Sequence, residues 1–157
     1  MINNIIILGS TGSIGASTLK SISKNKKFKV TALSSNKNIK KLLNQSIKYR
    51  VKYAFIEDNR MYINYKSTFK KNKINLFFGV KNIDKILKSK VYLSINAISG
   101  ISGLEPSLKI IPFSKKILIA NKESIICAWE IIKKKLIHHK TEFIPIDSEH
   151  FSIWNLI

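Results

Sequence analysis

The residues of this chain best suited to chemistry fall in four short groups. The first is Gly9-Ser10-Thr11-Gly12-Ser13-Ile14-Gly15, a G-x-x-G-x-x-G run that follows the apolar stretch Ile5-Ile6-Ile7-Leu8 and precedes a segment of helical period. Glycines between a strand and a helix permit a tight turn and a close approach of backbone to a ligand, and free N–H groups at the helix start attract anions. The run therefore has the form of a pyrophosphate loop. Gly9 and Gly12 suit the turn and the approach, Gly15 suits helix-on-sheet packing, and Thr11 and Ser13 add hydroxyl donors. A glycine turn that merely joins strand to helix is the competing reading.

The second group, Ser34-Ser35-Asn36-Lys37-Asn38, closes the next strand-like segment. An acid there would accept from a ribose 2′-hydroxyl and select NAD. None is present, and a lysine with several hydroxyl and amide donors suits a 2′-phosphate, so NADPH is favoured over NADH. The third and fourth groups, Asn121-Lys122-Glu123 and Asp147-Ser148-Glu149-His150, each follow a strand-like segment. Asp147 and Glu149 are two apart, so on an extended segment both carboxylates face one side and can share a hard divalent cation such as Mg²⁺ or Mn²⁺. Taken alone, a D-S-E pattern before a helix is more often an N-cap followed by a first-turn acid, and the same holds for N-K-E. Both readings stand at this level. Cys127, among Ile125, Ile126 and Trp129, reads as buried packing, and His138-His139 as a solvated helix end.

Positioning these groups at one edge requires strands that alternate with helices. Strand-length apolar runs occur at residues 4–8, 28–34, 53–57, 74–78, 91–96, 116–120 and 142–147. Helical period appears over 12–24, through Ile39, Leu42, Leu43 and Ile47, near 59–70 and 83–88, after Gly103, and through Ile125, Ile126, Trp129, Ile132 and Leu136. Regular alternation of this kind predicts an α/β fold with a doubly wound, mostly parallel sheet, a Rossmann-like dinucleotide-binding domain.

Composition removes other classes. With 157 residues, 45% hydrophobic, the chain suits one globular domain and excludes intrinsic disorder. No apolar run approaches the roughly 18 residues of a spanning helix, and residues 1–25 lack the layout of a secretory signal, so a soluble protein with no membrane partner is expected. One cysteine fits a reducing cytoplasm. The net charge of +19 would suggest nucleic acid, but 26 of the 28 basic residues are Lys, and Ile (29) and Asn (14) are also in excess. These residue types share A/T-rich codons, and the lysines are spread along the whole chain. A basic nucleic-acid-binding domain is accordingly the weakest alternative, with no specific nucleic-acid partner expected.

Taken in order, residues 8–15, Lys37-Asn38, Asn121-Lys122-Glu123-Ser124 and Pro145-Ile146-Asp147-Ser148-Glu149-His150 resemble the amino-terminal part of the 1-deoxy-D-xylulose 5-phosphate reductoisomerase family. The resemblance runs through essentially the whole chain. It implies NADPH and Mg²⁺ or Mn²⁺ as cofactors, a phosphorylated ketose as substrate, and formation of 2-C-methyl-D-erythritol 4-phosphate in the non-mevalonate isoprenoid route. It further implies that Thr11, Gly12, Ser13 and Ile14 contact the cofactor phosphates, that Asn36, Lys37 and Asn38 serve the adenosine 2′-phosphate side, and that Asn121 and Glu123 complete the cofactor site. Lys122, Ser148 and Glu149 would contact substrate, and Asp147 and Glu149 would ligate the metal. Asn36 departs from the small residue, often Gly, that the family carries there.

Family members continue for more than twice this length. The expected division is therefore an NADPH-binding domain over residues 1–145 and the start of a catalytic domain over 146–157, with a third acidic metal ligand, a closing loop and most of the phosphate pocket lying in later domains. A family-like homodimer would require those domains. The alternative is a non-catalytic NADPH-binding remnant of such an enzyme.

Overall fold

The computed structural model of the chain describes residues 2–145. Its strands are β1 (Asn3–Leu8), β2 (Phe28–Ser35), β3 (Tyr53–Ile56), β4 (Asn75–Phe78), β5 (Val91–Asn96), β6 (Ser114–Ile119) and β7 (Glu142–Pro145). The helices are α1 (Ser13–Ile22), α2 (Ile39–Lys48), α3 (Asn59–Lys71), α4 (Leu104–Ile110) and α5 (Lys122–His139), with 3₁₀ turns at Val80–Lys85, Ile101–Gly103 and Ile111–Phe113.

The strands form one sheet in the order β4-β3-β2-β1-β5-β6-β7, and every neighbouring pair is parallel. From β1 the chain winds outward in one direction through β2, β3 and β4, then returns and winds the other way through β5, β6 and β7. The reversal falls between β1 and β5, and the crevice beyond the carboxyl ends of strands at such a point is where open α/β sheets take ligands. This is the doubly wound parallel sheet expected from the alternation of segments.

The centre of the sheet explains the unbroken apolar run near the start of the chain. Ile5 and Ile7 pack with Leu19, Leu33, Leu42 and Phe69 on one face, whereas Ile6 and Leu8 pack with Phe55, Ile83, Ile110 and Ile132 on the other. A strand covered on both faces needs no polar alternation, and each such side chain contributes about 1.5–3 kcal/mol by leaving water. Among the described residues no helix is long and apolar enough to cross a membrane.

Two elements differ from the expectation. Helical period near 83–88 corresponds to a 3₁₀ turn at Val80–Lys85, which begins earlier because Gly79 turns the chain at φ +73° and the Glu57 carboxylate accepts from Val80 N at 2.7 Å. In α5, Ala128 is non-helical (φ −140°, ψ 26°), so the buried stripe is Ile125, Ala128, Ile132 and Leu136. Cys127 is exposed, correcting its reading as buried packing, and Ile126 is 69% exposed. At helical spacing from Ile125, position 128 shares the buried face and position 127 falls on the outer one. Of the seventh strand-like segment, residues 146 and 147 lie outside the described residues.

Candidate functional site

The glycine run leaves β1 at Leu8 and enters α1 at Ser13, at the carboxyl edge beside the reversal point. Two of its three glycines are required by packing within the chain. Gly9 has φ +74°, and a Cβ there would stand 2.7 Å from the Ala97 carbonyl oxygen on the segment after β5. At Gly15 a Cβ would overlap the Gly9 carbonyl oxygen, so α1 can cross the loop this closely only without a side chain. Gly12 is different. Its backbone is extended (φ −73°, ψ 175°), it is exposed, and the nearest atom to an added Cβ is Gly9 O at an ordinary 3.5 Å. Nothing in the fold itself demands a glycine at position 12.

Gly12 is also the N-cap of α1, and no side chain caps that helix. By contrast, Asn38 caps α2 through Lys41 N at 3.1 Å, Asp58 caps α3 through Met61 N at 3.0 Å, and Asn121 caps α5 through Ser124 N at 3.1 Å. The first intrahelical bond of α1 runs from Ala16 N to Gly12 O. The partial positive charge on the N–H groups of its opening turn is therefore uncapped by any side chain among the described residues.

The loop is held from the β2 side. Gly9 N donates to Ser34 Oγ at 2.9 Å, and Ser10 N donates to Ser34 O at 2.9 Å. Thr11 Oγ1 and Ser35 Oγ share a hydrogen bond at 2.8 Å. From α2, Gln45 exchanges two hydrogen bonds with Ser10, and Lys41 Nζ donates to Thr11 O at 2.7 Å. Ser34 and Ser35 are thus buried and fasten the loop. The reason is position: both lie within β2, between β1 and β3.

A cleft of about 460 Å³ opens above this loop, lined by Gly9, Thr11, Gly12, Ser34, Ser35 and Asn36 on one side. Glu57, Val80 and Lys81 after β3 and β4, and Ala97, Ile98, Ser99, Ser102, Glu105, Pro106 and Lys109 after β5, complete the wall. Of the residues singled out in the sequence, Gly9, Thr11, Gly12, Ser34, Ser35 and Asn36 line it. Ser13 and Ile14 open α1 and face a shallower depression over Leu93, Ile95 and Leu118. Lys37 and Asn38 continue from Asn36 on exposed backbone, with the Asn38 oxygen engaged as the α2 cap.

Asn121, Lys122 and Glu123 stand at the end of β6, two strands from β1 and hence roughly 10 Å along the same edge. The Asn121 side chain is buried and bonded at both ends: its oxygen caps α5 and its Nδ2 donates to Ile98 O at 2.8 Å. It thereby fixes the segment after β5 that walls the cleft. Lys122 and Glu123 are exposed in the first turn of α5. Asp147, Ser148 and Glu149 lie outside the described residues, and among the described residues no group of three His, Cys, Asp or Glu could hold a metal.

Sequence reasoning missed Gln45, Lys41, Glu57 and the segment from Ala97 to Ser102. Gln45 and Lys41 read as ordinary polar positions on an amphipathic helix. The only available signal was the glycine-punctuated run Ala97-Ile98-Ser99-Gly100-Ile101-Ser102-Gly103 directly after a strand.

Comparison with known proteins agrees with this geometry. The family model described as 1-deoxy-D-xylulose 5-phosphate reductoisomerase matches residues 5–129. The 1-deoxy-D-xylulose 5-phosphate reductoisomerase of Pelagibacter ubique (strain HTCC1062) is 47% identical over 156 residues, an alignment covering 98% of this chain and 40% of that protein. The Zymomonas mobilis 1-deoxy-D-xylulose 5-phosphate reductoisomerase, solved in complex with NADPH, superposes with a TM-score of 0.91 at 30% identity, covering 100% of this chain and 42% of that one. A DOX-P reductoisomerase in complex with NADPH, fosmidomycin and magnesium gives 0.85 at 28% identity, over 95% of this chain and 37% of that one. The chain spans about 40% of the length of the curated relative it matches. With its glycine loop, sheet order and matched residues in agreement, the chain belongs to the 1-deoxy-D-xylulose 5-phosphate reductoisomerase family and corresponds to its amino-terminal portion.

Proposed function

We propose that this chain is the NADPH-binding portion of an enzyme that isomerises and reduces 1-deoxy-D-xylulose 5-phosphate to 2-C-methyl-D-erythritol 4-phosphate with the help of a divalent cation. The carrying observation is Gly12 at the uncapped start of α1: the fold leaves room for a side chain there, and a pyrophosphate does not. The cleft beside it accommodates the adenosine half of the cofactor, with Asn36, Lys37 and Asn38 toward the 2′-phosphate.

In this reading the chain binds and orients. The N–H groups of Ser13 and Ile14 hold pyrophosphate oxygens, Thr11 and Gly12 shape the loop around them, and the Asn121 cap keeps the wall after β5 in place. Lys122, Ser148 and Glu149 bind substrate, Glu123 completes the cofactor site, and Asp147 and Glu149 bind Mg²⁺ or Mn²⁺. NADPH, when bound, supplies a hydride. Residues 1–145 form the cofactor domain and 146–157 begin the catalytic one.

The test is turnover by the intact protein. Supplied with 1-deoxy-D-xylulose 5-phosphate, it consumes NADPH only when Mg²⁺ or Mn²⁺ is added. Turnover in the presence of a metal chelator, or NADPH consumption without formation of the branched phosphate, would overturn the assignment.

A further inference from the structure

We propose that Lys41 is a second cation for the adenosine 2′-phosphate, acting with Lys37, and that it contributes directly to the choice of NADPH over NADH. This rests on the NADPH reading above.

The placement of the ammonium is the first ground. Lys41 lies in the first turn of α2, one turn beyond Lys37, with the cap residue Asn38 between them. The residue is exposed, yet its side chain has a defined partner. It reaches back over the helix start to a loop thirty residues away in sequence, where Nζ donates to the Thr11 carbonyl at 2.7 Å. Thr11 and Asn36 both line the cleft. The charge is therefore held between the glycine loop and the loop after β2. In a doubly wound fold the ribose 2′ position of a bound dinucleotide falls between those two loops.

The second ground is that, among the described residues, no carboxylate is paired with Lys41. The acceptor of the Lys41 ammonium is a neutral carbonyl, and the first turn of α2 contains no acid. Lys37, Lys40 and Lys41 instead gather three positive charges at the positive end of a helix dipole. Each charge there is disfavoured by the dipole and by the other two. A phosphate dianion entering this corner relieves all of these repulsions at once. NADH brings no charge to the same place, so the gain belongs to NADPH alone.

Lysine is abundant throughout this chain, and a solvated helix face is the ordinary role of such a residue. The bond to Thr11 separates Lys41 from that background, and it also supplies a rival role: a mere fastener of the loop. The two roles differ in what they do to the two cofactors. A fastener supports the pyrophosphate loop for NADH and NADPH equally, whereas a 2′-phosphate cation acts on NADPH only.

The experiment measures dissociation constants for NADPH, NADH and 2′,5′-ADP with the intact protein and its K41Q and K41R variants. In K41Q, NADPH and 2′,5′-ADP should weaken by at least about tenfold while NADH changes by less than about twofold, as expected for loss of a charge-assisted contact. K41R keeps the charge and should keep the preference for NADPH. Equal weakening of NADPH and NADH in K41Q would make Lys41 a fastener and overturn the proposal, as would unchanged NADPH binding. A wild-type protein with no preference for NADPH would overturn the cofactor reading itself, a different failure from a preference that survives K41Q.

Discussion

Ser10 and Gln45, thirty-five residues apart, hold each other by two hydrogen bonds: Ser10 Oγ donates to Gln45 Oε1 at 2.9 Å, and Gln45 Nε2 donates to Ser10 O at 2.8 Å. Ser10 is fully buried, so these bonds replace water that cannot reach it. The exchange ties the glycine loop to α2, the helix whose start forms the proposed 2′-phosphate corner. The two sides of the proposed adenosine site are thereby tied together without any ligand.

Gln45→Leu removes both bonds and leaves the buried Ser10 carbonyl without its side-chain donor. The expected cost is about 1–3 kcal/mol of stability, read by denaturant unfolding. NADPH and NADH should weaken by the same factor, because the loop that both share has lost its support. Unchanged stability would show that the exchange does not hold the loop.

The three glycines of the run should separate cleanly in mutants. Gly15→Ala places a methyl group on the Gly9 carbonyl and should destabilise the protein by about 1–3 kcal/mol or more. Gly12→Ser should be neutral or slightly stabilising in the absence of cofactor, since serine is a good N-cap and the backbone there already has the extended conformation of one. The same substitution should weaken NADPH by at least about tenfold, by filling the space a pyrophosphate needs. Thermal unfolding paired with a binding titration reads both effects. Normal NADPH binding by Gly12→Ser would remove the phosphate from that loop.

Lys37→Ala should weaken NADPH more than NADH, by about 1–3 kcal/mol if the contact is charge-assisted. Competitive binding of the two cofactors measures the difference directly. Equal losses would place the Lys37 ammonium away from the 2′-phosphate.

Asp147 and Glu149 admit a test by amide replacement in the intact protein. Asparagine caps a helix as well as aspartate does, so Asp147→Asn is nearly silent if the residue only caps. If it binds a divalent cation, loss of the anionic oxygen should lower metal affinity and turnover together. Turnover should fall about a hundredfold, or roughly 3 kcal/mol. Glu149→Gln should do the same and also raise the KM for the ketose phosphate. Near-normal metal-dependent turnover in both variants would return the two carboxylates to structural duty.

What could be read from the residues alone was whatever is encoded over short distances. The run Ile5-Ile6-Ile7-Leu8 announces a strand covered on both faces, and the alternation of such runs with helical period announces a parallel sheet. Three glycines at the first strand-to-helix junction announce the loop, because turn geometry depends on only a few neighbouring residues. The absence of an acid after β2 is likewise local, as is Asn38 standing just ahead of the α2 stripe.

Which of several similar polar groups remain available to a ligand was decided only by the strand order. Ser34 reads in the sequence as one more hydroxyl at a strand end, yet β2 pairs with both β1 and β3, which buries Ser34 and lets its Oγ accept from Gly9 N. The pattern gives Gly9 and Gly12 the same role, and only the approach of Ala97 to Gly9 and of Gly9 to Gly15 shows that, of the three glycines in the run, Gly12 alone is left unexplained by packing. Lys41 is one lysine among 26 until the fold brings Thr11 within reach of its ammonium. Cys127 was misread because it was grouped with its apolar neighbours in sequence, whereas the buried stripe of α5 runs through Ile125, Ala128, Ile132 and Leu136 and leaves position 127 on the outer face. Local conformation follows from neighbours along the chain. The use of each polar group follows from neighbours across the sheet, and the order of the strands sets those.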